Sequence, residues 1–323
     1  MIVVTGAYGF IGSYLTGRLN AMGLGQELVL VDDFNRSEKQ SNLEHKIWRQ
    51  QVDRNVFLNW LKDSAKDISF VFHLGARTDT AETNVTLFNE LNLNYSKEVW
   101  KICTAHQIPL VYASSAATYG DGTLGFEDKE AEIPKLKPLN PYGWSKQHFD
   151  EWVLLQKDTP PIWAGLKFFN VYGPNEYHKG RMASVIFHSF NKITANGKMQ
   201  LFRSHKAGIA DGHQSRDFIF VDDIASMCIQ IMEKSGFVSG IYNAGTGQAR
   251  TFLDLTINTF KAMGVEPNIE FIDTPVDIRD TYQYFTEAKM DKWKSQFPDA
   301  AYTSLEEGIY QYVTQYLMDN KRY

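Results

Sequence analysis

Residues Val3–Leu15 read VVTGAYGFIGSYL, with Gly6, Gly9 and Gly12 set between an apolar run and the start of a helical pattern. Glycine lets a backbone turn sharply after a strand and approach a pyrophosphate held on exposed helix N–H groups. Three spaced glycines also occur in ordinary strand-to-helix turns, so position decides their meaning. Here they sit at the first strand–helix junction of the chain. The pattern that follows supports the nucleotide reading.

Short apolar runs at Ile2–Thr5, Leu28–Val31, Phe70–His73 and Leu110–Ser114 read as buried strands. Helical spacing occupies Ile11–Met22 and Thr83–His106, and a further helix and strand are expected at Pro141–Gln156 and Trp163–Phe169. Strand–helix alternation of this kind predicts an α/β fold built on a doubly wound parallel sheet, Rossmann-like, with right-handed crossovers. After Asn170 the order loosens, and Pro, Gly and Asn are scattered among aromatics. The expected division is a dinucleotide-binding domain over 1–169 and a smaller α/β substrate domain over 170–214 and 246–323. Residues 215–245 are expected to return to the first domain, led by Arg216–Val221.

Composition narrows the functional classes. The 323 residues carry a formal charge of −5, which offers no general attraction to nucleic acid or to an anionic membrane. Any anionic ligand must be held by local cations. Two cysteines, Cys103 and Cys228, imply no disulfide framework and read as buried thiols in a reducing compartment. Met1 runs directly into the first strand without a cationic leader, and no apolar run reaches membrane-helix length. The expected location is the cytoplasm.

The second strand ends in LVDDFN, about 20 residues beyond the last glycine, where an acid binds adenosine ribose hydroxyls in dinucleotide folds. Asp32 or Asp33 suits NAD. Arg36, Lys39 and Arg54 follow, and such cations suit a 2′-phosphate, or else line a solvated loop. NADP is expected, with NAD kept open.

Tyr142 and Lys146 stand one helical turn apart in NPYGWSKQHF and share a face. An ammonium there favours tyrosinate and lowers the phenol pKa. With 16 Tyr in the chain, roughly one Tyr-x-x-x-Lys match arises by chance, so spacing alone decides nothing. Context supplies more: VYASSAATYG is a strand ending in paired serines, at the edge where open sheets bind ligands. Ser115 there either bonds a substrate oxygen or caps the turn. Further on, NVYGPNEYHKGRMAS crowds His178, Lys179 and Arg181 into one loop. Lys179 either contacts a diphosphate or cofactor, or moves a proton.

Taken in order, TGAYGFIG, HLGA, SSAATYG, YGWSK, FFNVYGP and RDFIFVDDIA resemble the extended short-chain dehydrogenase/reductase family across nearly the whole chain. The resemblance implies a tightly bound nicotinamide cofactor, a Ser115–Tyr142–Lys146 catalytic triad and a nucleotide-sugar substrate. Within the family, SSAATYG followed by NVYGP…HKG…MAS is similar to the branch that inverts carbon 6 of an ADP-linked heptose for the lipopolysaccharide core. In that branch the lysine of H-K-G is a second acid/base facing the tyrosine across the sugar, and Lys179 holds that position here. A catalytic lysine needs its pKa lowered by burial and cationic neighbours, which His178 and Arg181 are expected to supply. The branch also implies a homopentamer.

Carried over residue by residue, the resemblance implies further cofactor contacts from Phe10, Ile11, Leu74, Gly75, Ala76, Arg77 and Thr78, and from Asn92, Val171 and Lys179. For the sugar nucleotide it implies Ser115, Asn170, Arg181, His188, Phe202, Arg203, Ser204, His205, Arg216 and Tyr282. No metal is implied. Three departures stand out: a longer LFRSHKAGIADGHQSRDF segment, Arg77 within HLGARTD, and Arg181 where the family carries a smaller polar residue. Two rival readings remain. A 4,6-dehydratase places acids after the paired serines, where this chain has Ala116, Ala117 and Thr118, and a 4-epimerase has no use for Lys179. A non-catalytic dinucleotide sensor or scaffold would have no use for the Ser-Tyr-Lys set.

Overall fold

Strand β1 (Ile2–Thr5) is buried along its whole length, as a strand covered on both faces must be. Its neighbours in sequence repeat the pattern: β2 (Leu28–Asp32), β4 (Phe70–His73), β5 (Leu110–Ser115) and β6 (Trp163–Phe168). With β3 (Gln50–Asp53) and β10 (Gly240–Ala244) they form a seven-stranded sheet in the order β10-β6-β5-β4-β1-β2-β3, every pairing parallel. This computed structural model describes residues 1–279 and 282–323. Ile2 pairs with both Leu28 and Phe70, so the register aligns the carboxyl ends of β1, β2 and β4 along one edge.

The expected strands and helices of the first half are present. The edge strand β3 is polar, with Val52 its one buried residue, and so carries no apolar run that sequence reading could find. Helix α1 (Phe10–Ala21) begins directly after Gly9, and α2 (Phe57–Asp63) covers the far edge. The expected helix at Thr83–His106 is one helical run in three parts. They are α3 (Val85–Phe88), a π-helical turn at Asn89–Asn94, and α4 (Tyr95–Ala105). Helix α5 (Pro141–Leu154) starts with proline at its first position, and the Asn140 side chain accepts the Gly143 N–H at 2.8 Å.

The remainder makes two small sheets. Strands β7 (Asn170–Tyr172), β9 (Ser215–Phe220) and β11 (Ala249–Thr251) form one, and β8 (Met199–Phe202) pairs with β12 (Ile269–Ile272) in the other. The Arg216–Val221 stretch therefore joins the small sheet through β9. The return to the large sheet is made by the next elements, α7 (Val221–Glu233), which packs on α1, and β10. Helices α6 (Val185–Asn196) and α8 (Phe252–Met263) lie over the small sheets, enclosing a separate cluster of Ile193, Met199, Leu201 and Phe260. Both end in left-handed glycines, Gly197 and Gly264.

One backbone contact sets the cleft. Gly6 has φ +68°, and a Cβ there would lie 2.7 Å from the Cα of Gly75 in the turn after β4. Gly6→Ala combines left-handed strain with this clash and should cost about 1–3 kcal/mol of stability. Thermal melts of the variant check it, and an unchanged transition would mean the two turns can separate freely.

Candidate active site

The carboxyl ends of β1, β2, β4 and β5 open into one cleft of about 1490 Å³, which continues between α6 and the small sheets. Open α/β sheets place ligands at this edge. Along the cofactor arm, Gly6, Gly9, Phe10, Ile11 and Gly12 line the wall beside Leu74, Gly75, Ala76, Arg77 and Thr78. A Cβ on Gly12 would strike the Gly6 carbonyl, so the glycine spacing is sterically required by this turn. The backbone cradle this leaves is the shape a dinucleotide pyrophosphate takes at a helix start, and the residues fit that group.

At the outer end, Asp32 accepts the amides of Tyr8 at 2.9 Å and Asp33 at 2.8 Å. Lys39 Nζ lies 3.5 Å from Asp32, while Arg36 and Arg54 lie 3.5 and 3.7 Å from Asp33. The acids and the three cations thus share one wall, and both a ribose diol and a 2′-phosphate find partners there.

The Tyr142–Lys146 pair lies on α5, facing Ser115 at the end of β5, and all three line the cleft. Lys146 Nζ donates to the Ala113 carbonyl at 2.7 Å, and burial brings its pKa down to about 8. The Tyr142 phenol is raised above its ordinary value, which corrects the expectation of a lowered one. Burial, against Phe88 among others, penalises phenolate more than the Ser115 hydrogen bond favours it. Ser115 has its expected capping role, its Oγ accepting the Ala117 amide at 3.1 Å, and it lines the cleft beside Tyr142.

Lys179 stands in a 3-10 turn (Tyr177–Met182), with Gly180 at φ +53°. Its ammonium lies 5.0 Å from the Phe10 ring centroid, on the wall of the same cleft as Tyr142. Its pKa is lowered by burial, and the nearby Glu176 carboxylate opposes the shift. His178 and Arg181 do not act as the expected cationic neighbours. Burial depresses His178 to about 4, leaving it neutral at pH 7, and exposed Arg181 is paired 3.0 Å from Asp79. Glu176 is fully buried and fixes the loop by accepting the Ser184 amide and hydroxyl, both at 2.6 Å. A second tie comes from Asn42, whose Nδ2 lies 3.2 Å from the Tyr8 carbonyl, 3.1 Å from the Asn175 carbonyl and 3.2 Å from His178 Nδ1.

In the sugar arm, Asn170, Val171, Arg181, His188, Phe202, Arg216 and Tyr282 line the cleft. Arg216 is 7% exposed and lies between the Phe252 and Tyr282 rings, 5.5 Å from each centroid. Four expected contacts lie off the cleft wall. Asn92 is buried behind it, accepting the Arg77 amide at 2.8 Å and donating to the Arg77 carbonyl and to Ser145. Its place in a π-helical turn points its amide at the loop, so it shapes the wall from behind. Arg203 faces Asp211 and Asp273 outside, the Ser204 amide bonds Asp211, and the His205 amide bonds Tyr284. Sequence reading passed over Lys192 and Gln200, which line the sugar arm. Lys192 lies on the helix after the H-K-G loop, and a cation on the cleft side of an amphipathic helix was the available signal.

The family model for the NAD dependent epimerase/dehydratase family matches residues 2–245. The chain belongs to that family. Relatives of the epimerase/dehydratase chain span its full length. An ADP-L-glycero-D-manno-heptose-6-epimerase from Fusobacterium nucleatum subsp. nucleatum is 43% identical over all of both chains. One from Nitratidesulfovibrio vulgaris (strain DP4) is 46% identical over 98% of each. Among solved structures, the Helicobacter pylori ADP-L-glycero-D-manno-heptose-6-epimerase superposes with a TM-score of 0.82 at 26% identity, covering 97% of this chain and 95% of that one. Both cysteines of the present epimerase-family chain are free and buried. No helix among the described residues is long and apolar enough to cross a membrane.

The low pKa of Lys146 has a stability consequence whose sign is fixed. Lysine's ordinary value is 10.5 and the folded value is about 8, so the unfolded chain binds the proton more tightly. The burden on folding is full below pH 8 and lifts as pH rises to 10.5. Lys146→Met removes it, so the variant's melting temperature relative to the native protein should be higher at pH 7 than at pH 10. A difference that does not change with pH would place the folded Lys146 at an ordinary value.

Proposed function

We propose that this chain inverts carbon 6 of ADP-D-glycero-D-manno-heptose to give ADP-L-glycero-D-manno-heptose, in the cytoplasm, as a step in lipopolysaccharide core biosynthesis. The observation that carries the reading is the presence of Lys179 and Tyr142 on the walls of one cleft. The 43% and 46% identities to relatives bearing that name support the same substrate.

A bound nicotinamide dinucleotide, NADP in this proposal, supplies one chemistry: it takes the hydride from carbon 6 and returns it. Gly6, Gly9 and Gly12 would hold its pyrophosphate, Arg36, Lys39 and Arg54 its 2′-phosphate, and Lys146 its nicotinamide ribose. The chain's own work is proton transfer and orientation. Removing the hydride leaves a ketone at carbon 6, and the hydroxyl proton passes to a side chain within hydrogen-bond reach. Return of hydride to the opposite face of the ketone moves the new hydroxyl to a different place. A single fixed base serves one of these geometries poorly. Tyr142, oriented by Ser115, serves one orientation and Lys179 the other. Burial of both groups favours their neutral forms, which makes the phenol an acid and the amine a base. Lys146, beside Tyr142, supplies the positive charge that phenolate needs when it forms. A ring-carbon epimerase can turn its sugar over one base, and the second group would then be idle.

Tyr142→Phe should lower epimerisation of the heptose by about 10²-fold or more, the usual worth of a positioned acid/base. Lys179→Ala should abolish epimerisation while leaving part of the dismutation of a carbon-6 aldehyde analogue, which needs no inversion. The double variant should lose both. If Lys179→Ala raises KM with kcat intact, Lys179 is a binding residue and the two-base reading fails. Heat-released nucleotide should be NADP by mass spectrometry; NAD alone would reassign the Arg36, Lys39 and Arg54 cluster. We also propose a homo-oligomer, a pentamer, and a different mass by light scattering would reject that assembly.

A further inference from the structure

Tyr142 and Lys146 are two members of a longer stripe on α5. Asp150 is the third, one further turn along. Asp150 and Lys167 of β6 are both fully buried and form an ion pair at 2.7 Å. Lys167 Nζ also donates to Thr118 Oγ1 at 2.7 Å, and Thr118 in turn donates to the Ser115 carbonyl at 2.8 Å. Asp150 accepts from Ser114 Oγ at 2.6 Å and from Tyr112 Oη at 3.1 Å. Every partner of the pair thus lies on the strand end or the turn that presents Ser115.

A buried ion pair is a poor device for stability alone, because desolvating two charges offsets most of their attraction. Its placement directly behind the Ser115–Tyr142–Lys146 set indicates a different use. Asp150 is negative and close enough to Tyr142 and Lys146 to act on both. Standing alone, it would oppose ionisation of the phenol and hold the proton on Lys146.

We infer that Lys167 and Asp150 are positioning residues for the catalytic set, Lys167 cancelling the Asp150 charge behind Tyr142 while both pin the Ser114–Thr118 turn that carries Ser115. The inference rests on Tyr142 being an acid/base. The charged and titratable surroundings are few. From β5 and its turn come Tyr112 and Tyr119, whose ring centroid is 5.2 Å from Lys167 Nζ. From the following segment come Asp128, bonded to the Asn243 amide, and Glu130, paired with Lys292 at 2.9 Å. From β4 comes His73, held neutral between Thr5 and Ser96, and from α5 itself Lys146. Lys179 lines the same cleft as Tyr142.

The test reads Tyr142 directly, by ultraviolet tyrosinate titration of each protein against the same protein carrying Tyr142→Phe. Lys167→Met leaves the Asp150 carboxylate uncancelled and should raise the Tyr142 midpoint by about 0.5 pH unit or more, a roughly threefold change in acidity. Asp150→Asn removes the carboxylate itself, and a buried lysine without a carboxylate partner loses its proton below the phenol midpoint, so this variant should stay near the native value. Lys167→Arg should keep the native midpoint, and Lys167→Met with Asp150→Leu should return close to it. A rise in the single variant that the more heavily altered double variant reverses cannot come from loosened packing. Lys167→Gln reads the same rise if Lys167→Met does not fold. A midpoint unmoved in the folded Lys167→Met or Lys167→Gln protein overturns the inference. Heptose epimerisation by the Tyr142→Phe protein at the native rate would instead overturn the acid/base reading on which it rests, so the two failures are distinguishable.

Discussion

Two glycines in different turns, Gly6 and Gly75, meet so closely that neither can carry a side chain without moving the other. The cleft depends on this contact. It lets the turns after β1 and β4 sit side by side at the sheet edge, with bare backbone exposed for a phosphate. The parallel register then brings Asp32 at the end of β2, and Ser115 at the end of β5, to the same edge. A bulkier residue at either glycine would separate the strand ends that the rest of the site is mounted on.

Much of the site is made of charge placed where water is scarce. Lys146, Lys167 and Lys179 are each held by a different device: a carbonyl, a carboxylate with a hydroxyl, and an aromatic face beside a buried acid. Desolvation lowers the pKa of Lys146 and Lys179. Lys167 is tied to Asp150 and Thr118, both at 2.7 Å. Lys146 and Lys179 keep weaker partners and lie nearer the point where their proton can leave. One residue type thus does three electrostatic jobs, two in the cleft and one behind it.

The features legible in the sequence were those whose meaning is local. The Gly6–Gly12 turn, the apolar runs of β1, β2, β4 and β5, and the Tyr142–Lys146 spacing each depend on neighbours within a few residues. What escaped depends on contacts across the chain. The fall in the Lys179 pKa comes from burial, not from the adjacent His178 and Arg181, since one is neutral and the other is paired with distant Asp79. Asn92 supports the cofactor loop from behind because a π-helical turn aims its amide, and no single-residue pattern announces such a turn. Strand β3 is nearly all polar, and Arg203, Ser204 and His205 are drawn outward by Asp211, Asp273 and Tyr284. The Asp150–Lys167 pair joins a helix to a strand, and only the fold brings the two charges together.

Asn42 touches three things at once: the carbonyl of Tyr8 in the glycine turn, the carbonyl of Asn175, and His178 next to Lys179. Through this one amide, the loop carrying the lysine is fastened to the glycine turn after β1. The two halves of the cleft are therefore coupled through a single side chain, and a shift of either loop strains contacts held by the other.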